Sequence, residues 1–257
     1  PPSPSPPPSP PPSPSPPPSP PPARPPKCEK IVDFVLVIDA SGSMKKIQTN
    51  SSVSHMDEAK VLAKEIVDRF TLGTLPGLTA RFSVVSFHAA AKKEIDSWSK
   101  IAGTIDAAID NITADGETSI SAGLNLAGQI IEADPRRGAT KVVLLISDGH
   151  PTLPSGAEDA IIAGNALRGE KYGAQLFAWG FGDNSKSEDN SKKSEKELLA
   201  EIAGCCRVRS ESSPTATALD IPDCSVGVIA ACSRVRYTDD VSQLFAYVNS
   251  LVAEVCD

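Results

Sequence analysis

The sequence predicts an α/β body, doubly wound around a mostly parallel central sheet with helices on both faces, behind an N-terminal polyproline II tract. Three observations predict it. Eighteen of the 24 prolines fall in residues 1–26, so the rest of the chain has ordinary globular composition. From Cys28 onward, short apolar runs alternate with segments of helical periodicity. Strands separated by helices imply βαβ units, whose sheet is parallel and covered on both faces. The densest apolar run, residues 142–146, has the length of a buried strand and falls far short of the ~20 residues that cross a bilayer. Residues 1–27 are expected to form a stalk and residues 28–257 the body, with 205–232 as a cysteine-rich insertion.

Residues 1–20 are PPSPSPPPSP written twice, and PPARPP closes the tract. Proline lacks an amide donor and fixes φ, which excludes helix and sheet. A polyproline II rod at about 3.1 Å per residue reaches roughly 70 Å over the first 22 residues. With no large apolar side chain it builds no core. It reads as a stiff spacer. Dense Ser-Pro repeats also resemble the hydroxyproline-rich glycoproteins of plant and green-algal extracellular matrix, which implies hydroxylated, sugar-bearing prolines.

In the body, residues 31–38 (IVDFVLVI) form the first predicted strand. Residues 55–70 place Ala59, Leu62, Ala63, Ile66, Val67 and Phe70 at helical spacing. Residues 80–87 (ARFSVVSF) are a second strand, with 89–98 pairing back as a hairpin. Residues 100–112 and 120–133 read as helices and 141–147 (KVVLLIS) as a strand. A helix over 157–172, a strand over 175–180 and a helix over 194–204 follow. A strand at 233–237 and a helix over 240–255 end the pattern.

Twenty-five basic against 32 acidic residues leave a net charge of −7. With no basic block, the chain is a poor nucleic-acid binder, since that binding draws on phosphate neutralisation. The first residue is proline and no charged-then-apolar leader precedes the body, so the chain is expected to be a piece of a longer precursor. Six cysteines, at 28, 205, 206, 224, 232 and 256, include no C-x-x-C pair. An even count with one cysteine at each edge of the body favours disulfides and an oxidising, extracellular compartment. Asn50-Ser51-Ser52 and Asn111-Ile112-Thr113 are N-glycosylation sequons, usable in a secreted protein.

Ligands of parallel sheets sit beyond the carboxyl ends of the strands. There the first strand runs into Asp39-Ala40-Ser41-Gly42-Ser43, and the strand at 141–147 runs into Ser147-Asp148-Gly149. A third loop, Asp115-Gly116-Glu117-Thr118-Ser119, precedes the helix at Ile120. Two carboxylates and several hydroxyls thus converge, and oxygen-only ligation suits Mg²⁺, Mn²⁺ or Ca²⁺. Each aspartate alone is also explained as a turn or cap residue, but that account leaves the convergence of three loops unexplained.

An enzyme reading finds less. Phosphatases of the haloacid-dehalogenase type need a second carboxylate two residues after the nucleophile, and Ser41 stands there. No Gly-x-Gly-x-x-Gly or Walker loop follows a strand, and Gly180-Phe181-Gly182-Asp183 is too short to cradle phosphate. The histidines at 55, 88 and 150 form no metal-spaced cluster. His150 stands close to Asp148 in sequence, as a crevice residue or an exposed loop histidine.

Asp39-x-Ser41-x-Ser43, then Thr118 after a glycine turn, then Ser147-Asp148-Gly149, resembles the metal-ion-dependent adhesion site of von Willebrand factor type A (vWA) domains. The order of elements over 31–257 is similar to that family. The resemblance implies that Ser41 and Ser43 ligate a divalent metal through their hydroxyls. It implies that Thr118 ligates directly or through water, and that Asp39 and Asp148 act through water or as acceptors behind the ligands. Where the family often has Gly-Gly-Thr, this chain has Gly116-Glu117-Thr118, which adds a carboxylate near the site. The implied function is an extracellular adhesion or matrix module. Its metal takes an Asp or Glu carboxylate from a protein partner, other matrix glycoproteins included. The alternatives are a structural wall glycoprotein whose site is a folding clamp, and a phosphate-handling α/β enzyme. In the vWA topology the chain ends meet away from the metal, which implies a Cys28–Cys256 bridge. Three pairings of the other four cysteines remain, the vicinal Cys205–Cys206 bridge being the most strained.

Overall fold

β1 (Val32–Asp39) is buried along its whole length, as its near-continuous apolar run requires. Its side chains alternate between two cores, with Phe34, Leu36 and Ile38 facing one and Val35 and Val37 the other. The one charge inside the run is Asp33. It takes both guanidinium donors of Arg81 at 2.8 Å, and Arg136 approaches it at 2.7 Å. That ion cluster lies at the opposite end of β1 from Asp39 and accounts for a carboxylate within an otherwise apolar strand.

The structure is a computed structural model that describes residues 1, 3, 27–47, 52–73, 79–149, 151–153, 156–182, 194–208, 222–223 and 232–256. Beyond β1 the elements are α1 (His55–Asp68), β2 (Arg81–Phe87), β3 (Ala91–Lys93), α2 (Ala102–Asp110) and α3 (Ile120–Ala133). β4 (Thr140–Ser147), α4 (Gly156–Arg168), β5 (Gln175–Phe181) and α5 (Glu195–Ile202) follow. The two-residue strands β6 (Arg207–Val208) and β7 (Pro222–Asp223) pair with each other inside the insertion. β8 (Val235–Thr238) leads through a 3-10 segment (Val241–Tyr247) into α6 (Val248–Cys256).

The main sheet has the order β3-β2-β1-β4-β5-β8. Only β3 is antiparallel, paired to β2 as the expected hairpin. α1, α2 and α6 cover one face around a Phe34–Phe70–Phe82 aromatic cluster, and α3, α4 and α5 cover the other. After β1 the chain crosses to β2 on one side. It later returns to place β4 on β1's other side. This reversal of strand order opens a crevice at the carboxyl ends of β1 and β4. Apart from residues 1 and 3, the proline tract lies outside the described residues, as does the stretch 226–229.

Candidate metal centre

Ile38 lies opposite Ile146 across the β1–β4 pair, so Asp39 ends one strand beside Ser147 at the end of the other. Ser147 Oγ donates to Asp39 Oδ2 at 2.6 Å, and the Ser41 amide donates to Asp39 Oδ1 at 2.8 Å. Both oxygens of this fully buried carboxylate are thereby fixed. The Ser41 and Ser43 hydroxyls stand 2.9 Å apart, and Ser43 Oγ donates to Asp148 Oδ1 at 2.5 Å. A 3-10 turn, Gly42–Lys45, follows β1 directly and sets the two serines two residues apart on its first turn.

The third loop is tied to the first by backbone pairing. The Asp115 amide donates to the Ala40 carbonyl at 2.6 Å and the Gly42 amide to the Gly116 carbonyl at 2.9 Å. A Cβ on Gly42 would stand 3.3 Å from the Gly116 carbonyl oxygen, and Gly116 has φ +77°. Both positions therefore favour glycine. Thr118 is buried, its amide donating to Thr152 Oγ1 at 2.9 Å while its carbonyl accepts from the Thr152 amide at 3.1 Å. Asp39, Ser41, Ser43 and Asp148 thus share one hydrogen-bonded chain with Ser147, and Thr118 stands on the loop paired against it.

Several participants were not singled out from the sequence. His55 Nδ1 lies 2.9 Å from Asp148 Oδ2, and the Asp148 side chain is fully buried. His150, the histidine that the sequence placed near Asp148, lies outside the described residues. Lys45 and Asp115 form an exposed ion pair at 3.0 Å between the first and third loops, and this hydrogen bond holds the Asp115 carboxyl below its usual range. Glu117 is exposed. Behind the loop of Asp148, Tyr237 donates to Glu195 Oε2 at 2.7 Å, while Glu195 Oε1 is buried without a hydrogen-bond partner among the described residues. The helix predicted over 194–204 begins at Glu195, where Ser194 and Glu197 form a capping box, but the sequence did not single out Glu195 itself.

The site is electrostatically costly. Burial pushes the Asp39 carboxyl up to about 6, against the hydrogen bonds from Ser147 and Ser41, and the charge of Asp148 adds to the rise. Burial likewise raises Glu195 to about 7, opposed by the Tyr237 hydrogen bond and reinforced by Asp148 and Asp39. Tyr237 is itself pushed above its ordinary value, first by burial and then by Glu195. Among the described residues, no three His, Cys, Asp or Glu side chains gather to hold a metal. Any cation at this crevice would therefore meet hydroxyls as well as carboxylates.

Residues 34–150, which span all three loops, match the sequence model of the von Willebrand factor type A domain. No curated protein matches the chain. Among solved structures it is similar to proximal thread matrix protein 1 from the mussel byssus with a zinc-occupied MIDAS motif. That likeness has 26% identity and a TM-score of 0.59 over 90% of this chain and 47% of that one. A von Willebrand factor type A protein from Catenulispora acidiphila is 20% identical with a TM-score of 0.59, over 88% of this chain and 43% of that one. Manganese-loaded TRAP protein from Plasmodium vivax is 17% identical with a TM-score of 0.56, over 88% and 74%. The chain spans about half the length of the first two. By the match over residues 34–150 and by its doubly wound sheet, the described body is a vWA-like α/β domain.

Proposed function

We propose that the crevice at the ends of β1 and β4 is a divalent-metal site through which the protein binds an acidic group of a protein partner. The observation that carries this reading is the 2.9 Å separation of the Ser41 and Ser43 hydroxyls beside the buried carboxylates of Asp39 and Asp148. Neighbouring ligands of an octahedral ion at about 2.0–2.1 Å stand about 2.9 Å from each other, so the two hydroxyls suit adjacent positions. The donors are all oxygens, which suits Mg²⁺, Mn²⁺ or Ca²⁺. The zinc of the mussel relative makes Zn²⁺ a fourth ion to test.

Ser41, Ser43 and Thr118 supply neutral hydroxyls. Asp39 and Asp148 supply two negative charges, set behind the serines by the hydrogen bonds described above. Ser147 and His55 hold those two carboxylates in place. A bound divalent ion would offset the repulsion between the carboxylates and, with neutral direct ligands, keep an electrophilic position for an Asp or Glu of the partner. With neutral hydroxyls facing the ion and both carboxylates held behind them by hydrogen bonds, the site reads as a binding device.

The disulfides described below accord with an oxidising compartment. With the Ser-Pro tract of residues 1–27 as a stalk and 28–257 as the body, the protein is an extracellular adhesion or matrix module. Millimolar Mg²⁺ or Mn²⁺ is expected to raise the melting temperature, because a ligand of the folded state alone adds RT ln(1 + [L]/Kd). Asp39→Ala should remove that rise and leave the fold. Absence of any heat of Mg²⁺, Mn²⁺, Ca²⁺ or Zn²⁺ binding by calorimetry would remove the basis of the reading. Capture of extracellular protein with Mg²⁺ that persists in EDTA would favour the structural wall glycoprotein instead.

A further inference from the structure

We infer that Asn111 is an N-glycosylation site whose glycan is rooted at the metal-bearing end of the body; the inference rests on the extracellular reading above. Asn111-Ile112-Thr113 is a sequon with threonine at its third position. The structure places it with an outward asparagine and an inward anchor. Asn111 and Thr113 are exposed, whereas Ile112 is 1% exposed and belongs to the core under α1 and α2. Asn111 is the C-terminal cap of α2, its amide bonded to the Ala107 carbonyl at 3.1 Å. The backbone is thus satisfied from within and leaves the side-chain amide free to carry a bulky group.

Two neighbours fix the direction of that group. Lys64 pairs with Asp110 at 2.7 Å and Lys60 donates to the Asp110 carbonyl at 2.9 Å, which ties this end of α2 to α1. Four residues beyond Asn111, the Asp115 amide bonds Ala40, the residue after Asp39. The glycan root is therefore held at the carboxyl end of the sheet, on the α1–α2 side of the crevice.

The donor is a polyprenyl-pyrophosphate-linked oligosaccharide. The bond from sugar C1 to the pyrophosphate breaks, a bond from C1 to Asn111 Nδ2 forms, and the amide proton leaves with the transferase base as the pyrophosphate departs. Burial of Ile112 bars the folded segment from a transferase groove, so transfer precedes the docking of α2 on the sheet. The finished fold tolerates the product because Asn111 faces solvent.

The test uses the full chain secreted from a eukaryotic host. Peptide:N-glycosidase digestion in ¹⁸O-water, followed by peptide mapping, should convert Asn111 to ¹⁸O-labelled aspartate. Asn111→Gln and Thr113→Ala should each lose the glycan mass, and Thr113→Ser should keep it. A secreted, disulfide-bonded chain with unmodified Asn111 overturns the inference and leaves the extracellular reading standing. A chain that never reaches the medium with its bridges formed overturns both.

Discussion

Glu195 is an acid held largely out of water, with one oxygen on Tyr237 and the other without a partner among the described residues. Its folded value of about 7 lies above the ordinary 4.5. Between these two values the folded state holds a proton that the unfolded chain has released. The unfolded state binds fewer protons there, so stability falls as pH rises through the window and levels off above it. The expected loss is about 3 kcal/mol. Glu195→Gln keeps an acceptor for Tyr237 and removes the charge. It should melt higher than the parent at pH 8, with a difference that shrinks toward pH 4.5. Equal pH dependence of the two proteins in calorimetry would refute this account. Neither Glu195–Tyr237 nor His55–Asp148 was legible in the sequence, because each pair joins residues far apart in the chain and of a type common on surfaces. Asp39, Ser41 and Ser43 were legible because they stand within five residues at the end of a run too apolar for anything but a buried strand.

At the scale of elements, α3 connects the third loop to the sheet. A Cβ on Gly123 would come within 2.8 Å of both Phe87 and Val37, so the helix lies directly on β1 and β2. Gly123→Ala should cost about 1–3 kcal/mol through overpacking. It should also weaken metal binding, since α3 begins two residues after Thr118. Gly103 in α2 has open space where its Cβ would go, and Gly103→Ala should add about 0.4–1 kcal/mol. If denaturant titration finds the two substitutions equal, close packing of α3 is not what positions the loop. Helical periodicity alone predicted α3 over the span it occupies, 120–133. The predicted helix over 157–172 ends earlier, at Arg168, where the chain turns at Gly169 and passes Gly173 at φ +58°. The predicted helix over 240–255 begins as a 3-10 segment. Asp240 accepts from the Ser242 amide at 2.6 Å and its carbonyl takes the Thr238 hydroxyl at 2.7 Å, which tightens the entry. Such local competition does not register in an apolar period.

For the whole molecule, Cys28 and Cys256 are bridged, as the family resemblance implied, with Cα atoms 5.8 Å apart. Cys205 is bridged to Cys232, one of the pairings left open by the sequence, and the vicinal bridge is thereby excluded. Cys206 is also disulfide-bonded. Fold class was legible because the long buried strands at β1, β2, β4 and β5 are each followed, directly or after a hairpin, by segments of helical period. Connectivity was not, because cysteine spacing carries no information on which sulfurs meet. Closing a loop of 228 residues stabilises by over ~4 kcal/mol in the chain-entropy description. Cys28→Ser with Cys256→Ser should therefore lower the melting temperature while leaving metal-binding heat unchanged, since the bridge sits at the opposite end of the fold from Asp39. A loss of metal binding in that variant would show the two ends to be coupled.

The same bridge decides how the body carries tension. Cys28 also pairs through its backbone with Arg69 and Thr71, so the chain enters the body at a point fixed both to α1's end and to Cys256. A pull applied on either side of the bridged cysteines passes from one sulfur to the other and bypasses the sheet. The body then hangs beside the line of force as a pendant, and the crevice at the ends of β1 and β4 keeps its shape under loads that would shear a domain strung in series. In single-molecule stretching through tethers outside the two cysteines, the oxidised protein should show no unfolding step of the body, and reduction should make one appear.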